Sequence, residues 1–383
     1  MFGENLPGFV PILFWGIITI SLLVFIHEAG HFLAARALGL KVTEFFIGLP
    51  GPRISFKRGE TTYGITCVPL GGWVRIPALE GSGPAAELGI MTEEERKEYE
   101  KVPAWKRVTV LLAGVFTNLA FAIIVLTALF TYTGIPADLV DPIPDGPAAV
   151  AGMPAGAQVI NIDGQRTHNF PQLVSTIAGY EPGDTVAVTY VSREGDRNTT
   201  NTIQVTLEER QPPEPLLDED GEIIPIPEPP PGAPAPPTAQ MGVLLTQQFY
   251  EPTNVFGAFT YSFTYIVLTA EGIARFFSPA TFPEAIGDAT SVVGISVFAA
   301  HTASAGFITY ATLLALISIA LGLMNLLPIP PLDGGKIFFE IVQKVTGKPV
   351  PQTLYVGISL VGFALLIVLM VYLIGQDLFR IFG

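Results

Sequence analysis

The chain carries Ile26-His27-Glu28-Ala29-Gly30-His31 inside an unbroken apolar run from about Phe9 to Leu40. On a helix, residues four apart share a face, so His27 and His31 can aim both imidazoles at one zinc ion, with Glu28 beside them as a carboxylate base. Two histidines leave such an ion short of the third protein ligand that catalytic zinc sites have, so a partner has to come from elsewhere in the chain. The pattern by itself also occurs on ordinary soluble helices. Its setting separates the two cases, because an ionisable residue at membrane depth costs on the order of a few kcal/mol and marks a functional place. The chain has four histidines and two of them are here. The plainer alternative is a pair of core imidazoles bonded to neighbouring helices.

Outward from this stretch, only 14% of the 383 residues are charged, 49% are hydrophobic, and the mean hydropathy is +0.49. These values describe an integral membrane protein. Four apolar segments reach the length of about 20 residues that a spanning helix needs: roughly Phe9–Leu38, Val108–Tyr132, Gly306–Leu327 and Leu354–Ile374. The first lacks a basic leader and is too long for a signal peptide, so it reads as a retained transmembrane helix. A net charge of -14 speaks against a nucleic-acid partner. The single Cys67 permits no internal disulfide.

Loop charge sets the expected orientation. Between the first two segments lie Arg53, Lys57, Arg58, Arg75, Arg96, Lys97, Lys101, Lys106 and Arg107, and after the third come Lys336, Lys344 and Lys348. By the positive-inside rule both connections are cytoplasmic, and both termini face the other side. Within the first connection, the stretches from Arg53 to Lys57, Thr61 to Cys67 and Gly71 to Ile76 alternate as short strands. A small sheet next to the histidine pair follows. It is either an ordinary hairpin under the bundle or an edge that holds an extended peptide by strand addition. Trp105, Lys106 and Arg107 read as an interfacial anchor opening the second helix.

On the far side, Leu139 to Arg210 has the make-up of a small α/β domain, with a short helix opening at Gly146-Pro147 and strands at Gln158 to Gly164, Thr185 to Val191 and Thr202 to Leu207. From Gln211 to Pro237 the chain is acidic and Pro-rich, which suits a semi-rigid spacer better than a core. Phe256 to Phe277 then reads as an interfacial amphipathic helix.

The third segment ends in Met324-Asn325-Leu326-Leu327-Pro328-Ile329-Pro330-Pro331-Leu332-Asp333-Gly334-Gly335. Asp333 is the natural third zinc ligand: the first and third segments both run toward the cytoplasm, and both reach that side at similar depth. The prolines break the helix there, which is tolerated at membrane depth only where backbone is buried or lines a wet cavity. The alternative for Asp333 is a carboxylate capping the following helix. Asn325 either orients substrate backbone or glues helices together. Asn118, with Gly114 one turn before it, either touches substrate or serves close helix packing.

These residues resemble those of the site-2 protease family, intramembrane zinc metalloproteases of regulated intramembrane proteolysis. The resemblance covers His27 to His31, the Gly71-Gly72 loop, Gly114 to Asn118, an extracytoplasmic PDZ-like domain, and Asn325 to Gly335. It implies zinc at His27, His31 and Asp333, Glu28 as general base, a substrate helix clamped by the β-loop, and a PDZ-like domain that gates access or binds the end of a substrate already cut by another protease. The chain departs from the family pattern at Gly114-Val115 and around Ser291-Val292-Val293-Gly294, where Gly-Pro is usual, and at Gly156-Ala157, where Gly-Asp is common.

The fold expected is a polytopic α-helical membrane protein with four transmembrane helices, a cytoplasmic-side membrane-associated β-loop and an extracytoplasmic α/β PDZ-like domain. Its parts are a first membrane unit over 1–135, the PDZ-like domain over 136–210, the Pro-rich linker over 211–240, and an amphipathic segment with the second membrane unit over 241–383. The expected function is a zinc endopeptidase of the plasma (inner) membrane that cuts transmembrane segments of single-span proteins, such as a membrane-bound anti-sigma factor. Membrane lipid and an upstream site-1-type protease are its expected partners. His27, His31 and Asp333 would bind Zn2+, Glu28 would be catalytic, and Asn325, Asn118, Gly71 and Gly72 would contact substrate. The rivals are a non-catalytic zinc-containing adaptor, which ought to offer a fourth ligand, and a transporter, which ought to show paired broken helices.

Overall fold

The computed structural model describes residues 8–68, 71–80, 101–167, 170–194, 197–209, 239–330, 332–348 and 352–382. Its chain divides into two compact units, one made of Met1–Leu129 with Val255–Gly383, the other of Phe130–Asn254. Four helices are long and apolar enough to cross a membrane, over Phe9–Ala37, Ala104–Thr133, Phe307–Asn325 and Gly357–Ile381. They coincide with the four apolar segments of the sequence. Large side chains such as Phe14, Phe116, Ile124 and Phe363 stay exposed on them, as lipid-facing residues do, because lipid tails give no incentive to bury them.

In chain order the first unit begins with α1 (Phe9–Ala37). A four-stranded sheet follows, made of β1 (Glu44–Ile47), β2 (Arg53–Arg58), β3 (Thr61–Thr66) and β4 (Gly72–Arg75) in the order β2-β3-β1-β4. Strand β1 lies parallel to β3 and antiparallel to β4. It is a central strand that the sequence does not announce, since Glu44-Phe45-Phe46-Ile47 lacks alternation. Phe46 is fully buried and stacks on Trp73, whose indole N–H donates to Glu44 at 2.9 Å. Cys67, just past β3, is exposed. The short α2 (Pro77–Glu80) closes this region, and Arg96 and Lys97 lie outside the described residues.

Helix α3 (Ala104–Thr133) leads out of the first unit. In the second unit, β5 (Ile135–Pro142), α4 (Pro147–Val150), β6 (Gln158–Ile162), β7 (Gln165–Arg166), α5 (Phe170–Ile177), β8 (Thr185–Glu194), β9 (Arg197–Thr206), β10 (Glu208–Glu209), β11 (Ala239–Gln240) and β12 (Val243–Glu251) follow. One sheet has the order β7-β6-β8-β9, and β5 pairs antiparallel with β12. Val140, Ile162, Val186, Val188, Val205 and Leu207 fill the core between them. The Pro-rich segment expected over 211–240 falls almost entirely outside the described residues. Its two flanks are hydrogen-bonded neighbours, Glu208 with Gln240 and Glu209 with Ala239.

The first unit resumes with α6 (Val255–Ala274), α7 (Phe282–Asp288), α8 (Val292–Ala305), α9 (Phe307–Asn325), α10 (Asp333–Thr346) and α11 (Gln352–Phe382). With only 14 residues, α8 is too short to count as a span. Its start is held by Asp377 of α11, fully buried, whose carboxylate accepts from the N–H groups of Ser291 at 2.7 Å and Gly294 at 3.2 Å. A carboxylate there satisfies donors that a helix leaves free and complements its dipole.

Candidate metal centre

His27 and His31 lie on the inward face of α1 and are only 6% and 7% exposed. Their Nε2 atoms stand 3.1 Å apart. Asp333 closes the figure, its Oδ2 lying 3.1 Å from each of the two Nε2 atoms. Three donors from residues 27, 31 and 333 thus form an equilateral triangle in the interior. Zinc bonded to N and O ligands at about 2.0–2.2 Å in tetrahedral geometry spaces neighbouring ligands roughly 3.3–3.6 Å apart. The triangle is a few tenths of an ångström tighter than that, and its donor types are the right ones. The group is positioned to hold a metal ion, and among the described residues no fourth His, Cys, Asp or Glu joins it.

Asp333 owes its position to the break after α9. That helix ends at Asn325, and the chain turns through Pro328 and Pro330 so that Asp333 is the first residue of α10. The cap position belongs to Leu332, so Asp333 is the first helical residue and not the cap. Gly334 is pressed against the carbonyls of Leu326 and Leu327, where a Cβ would collide with backbone. The other Asp333 oxygen, Oδ1, accepts from Lys336 at 3.4 Å. Seven residues on, and so on the same helix face, Glu340 forms a two-pronged pair with Arg107 of α3 at 2.7 and 2.6 Å. Both partners are buried, and Arg107 also donates to the Val102 carbonyl.

Helix α3 lines the back of the histidine pair with one residue per turn. The Val110 carbonyl accepts from His31 Nδ1 at 2.8 Å. A carbonyl can only accept, so that ring carries its hydrogen on Nδ1 and leaves Nε2 with a lone pair toward the triangle. One turn later comes Gly114. A Cβ there would lie 2.5 Å from His31 Nε2 and 2.8 Å from His27 Cε1. Asn118 follows, completely buried, with its amide 3.4 Å from His27 Nδ1.

Glu28 is half-buried on the next position of α1 and borders the sheet: a Cβ on Gly72 would stand 3.7 Å from Glu28 Cγ. Strand β4 is therefore next to it and, among the described residues, is also an edge of its sheet. The carbonyls of Gly71 and Arg75 accept from Gly48 and Thr43 on the β1 side, so by alternation the main-chain groups of Gly72 and Val74 face the open edge. The Asn325 amide donates to the Leu321 carbonyl of its own helix at 2.9 Å. Sequence reasoning gave Val110 and Glu340 no role, and read Arg107 and Lys336 only as interfacial and loop charge. For Glu340 a signal existed, an acid on the buried face of an amphipathic helix seven residues after Asp333.

Comparison with known proteins gives a consistent result. The model of the family described as Peptidase family M50 matches residues 15–369. A Mesorhizobium japonicum protein is 29% identical over 97% of this chain and 98% of its own length. One from Brucella suis is 28% identical over 97% and 94%, and one from Synechocystis sp. is 30% identical over 94% and 92%. All three carry the name "Putative zinc metalloprotease".

Proposed function

Since the chain belongs to peptidase family M50, the site-2 protease family, and is a multi-pass zinc metalloprotease, we propose that it hydrolyses a peptide bond within the transmembrane segment of a single-span membrane protein. One observation carries this reading: the donor triangle of His27, His31 and Asp333 is buried beside membrane-length helices and is bordered by Glu28. Those three residues hold the metal and Glu28 is the general base. When bound, zinc supplies a Lewis acid that polarises the scissile carbonyl and brings the pKa of water toward about 7. Glu28 takes the proton of the attacking water and delivers it to the leaving amine, so that one carboxylate serves as base and then as acid.

A helical peptide bond is shielded by its own hydrogen bonds, so the target has to be extended before attack. The open edge of β4, carrying Gly72 and Val74 alongside Glu28, receives the unwound strand by strand addition. Gly71 and Gly72 leave the start of that edge without side chains. Loop charge puts this sheet and the metal site toward the cytoplasm, with both termini and the unit of residues 130–254 on the opposite side. That unit acts as the PDZ-like domain. An apolar groove in it, lined by Leu173, Val174 and Ile177 of α5 and by Met241, Gly242 and Val243, suits the end of a substrate trimmed by an upstream protease. The role in regulated intramembrane proteolysis follows from such a two-step order.

The test uses purified wild type and Glu28→Gln with a panel of single-span reporters, alongside measurement of bound zinc. Cleavage by wild type alone, with zinc in both, is expected. Cleavage by both would remove Glu28 from its role. Zinc in both with no cleavage of any reporter would favour a zinc-containing adaptor.

A further inference from the structure

Two observations about Asn118 sit uneasily together. The side chain is completely buried, yet its Oδ1 has no hydrogen-bond partner, while its Nδ2 faces His27 Nδ1 at 3.4 Å. His27 turns Nε2 toward the Asp333 carboxylate and His31 Nε2. If that Nε2 offers a lone pair to a metal, the neutral ring carries its hydrogen on Nδ1. An N–H of the ring would then confront an N–H of the amide. Oxygen and nitrogen of a carboxamide are assigned from their surroundings and exchange by a half turn. Either orientation leaves one amide atom without a partner, but only the exchanged one turns two opposed donors into a hydrogen bond.

We propose that Asn118 is a positioning residue for the metal site: its carboxamide oxygen accepts from His27 Nδ1–H, fixing the tautomer that directs the His27 Nε2 lone pair to the metal. This rests on His27 being a ligand. The role matches what Val110 does for His31, where a carbonyl oxygen accepts from Nδ1 at 2.8 Å. Val110, Gly114 and Asn118 recur every fourth residue on one face of α3, and His27 and His31 recur with the same spacing on α1. One helix thus serves both imidazoles, with a backbone acceptor at one end, a side-chain acceptor at the other, and a glycine between to admit the rings. The neighbouring helix α9 fixes the Asn118 position. Ser318 donates to the main-chain carbonyl of Asn118 at 2.9 Å, and Gly322 leaves room for the Asn118 Cβ. Such outer partners of ligating histidines are worth about 10- to 100-fold in metal affinity. In this position Asn118 contacts a ligand side chain and does not need to touch substrate.

The experiment measures zinc affinity of the full-length protein in detergent by competition with a chromophoric chelator, and the visible spectrum of the cobalt-substituted protein. Asn118→Leu, which keeps the volume and removes the acceptor, is expected to weaken zinc binding by about 10- to 100-fold. Asn118→Asp, which keeps an acceptor oxygen, is expected to stay within a few-fold of wild type and to retain the wild-type cobalt spectrum. A merely packing role would not distinguish Leu from Asp in this direction. Should Asn118→Leu fail to fold, Asn118→Ala carries the same expectation without overpacking. Wild-type zinc affinity in a folded Leu or Ala variant, with only KM for a reporter raised, would overturn the proposal in favour of substrate contact. Equal losses in Asp and in Leu or Ala would overturn it too. His27→Ala is the separate control: unchanged zinc binding there would refute the ligand assignment itself, whatever the Asn118 variants do.

Discussion

At the residue scale, the site depends on what is missing as much as on what is present. Gly114 is the clearest case, since a methyl group on its Cα would occupy the space of two imidazoles. Overpacking of this kind costs about 1–3 kcal/mol. If it falls on metal binding, Gly114→Ala should weaken zinc affinity roughly 5- to 150-fold, measured by chelator competition, while the protein stays folded. Wild-type affinity in that variant would mean the rings can move aside. The grouping of His27, His31 and Asp333 was legible in the sequence, because two histidines one turn apart in an apolar helix are rare and the first and third segments run in the same direction and end at similar depth. The attachment of Asn118 to His27 was not legible. The two residues are 91 positions apart on different helices, and nothing in a sequence says which of several antiparallel registers two apolar helices adopt.

At the scale of elements, the position of Asp333 is secured by how α10 is fastened. The pair between Glu340 and Arg107 is buried, whereas the pair between Glu284 and Arg275 near α7 is 44% and 40% exposed in its side chains. Removing one partner of a buried pair costs about 3–5 kcal/mol, and an exposed pair is worth about 0–1 kcal/mol. Glu340→Gln should therefore lower the melting temperature in detergent markedly, and Glu284→Gln hardly at all. Similar effects from both would show that α10 is held by other contacts. The four membrane-length helices followed from length and composition, but strand β1 and helix α8 are among the elements that did not. Strand β1 lacks alternation because it is central in its sheet and lies near α1, so both of its faces carry apolar side chains. Helix α8 is short, and its start depends on Asp377, more than 80 residues away in sequence, a partner that only the folded chain brings near.

For the whole molecule, two measurements check the arrangement. Zinc that binds only the folded state stabilises it by mass action, about 2.7 kcal/mol at a hundred times its dissociation constant. A chelator should lower the melting temperature of wild type and leave Asp333→Ala unmoved. Equal sensitivity of the two would place the stabilising metal elsewhere. Orientation has a native reporter, since Cys67 is the single thiol of the chain and is exposed. A membrane-impermeant maleimide should label it in inside-out vesicles and not in right-side-out ones, and the reverse result would invert the proposed topology. The return of the chain at Ala239 to Glu251 to pair within the unit that starts at Phe130 could not be read ahead, because the Pro-rich composition before it looks like the end of a domain. That return has a consequence for evolution of the chain. Residues 210–238 leave and rejoin the unit at adjacent strands, so their number sets no distance in the scaffold, as the length of a tether would. Lineages can lengthen this stretch without moving apart the paired strands on either side of it.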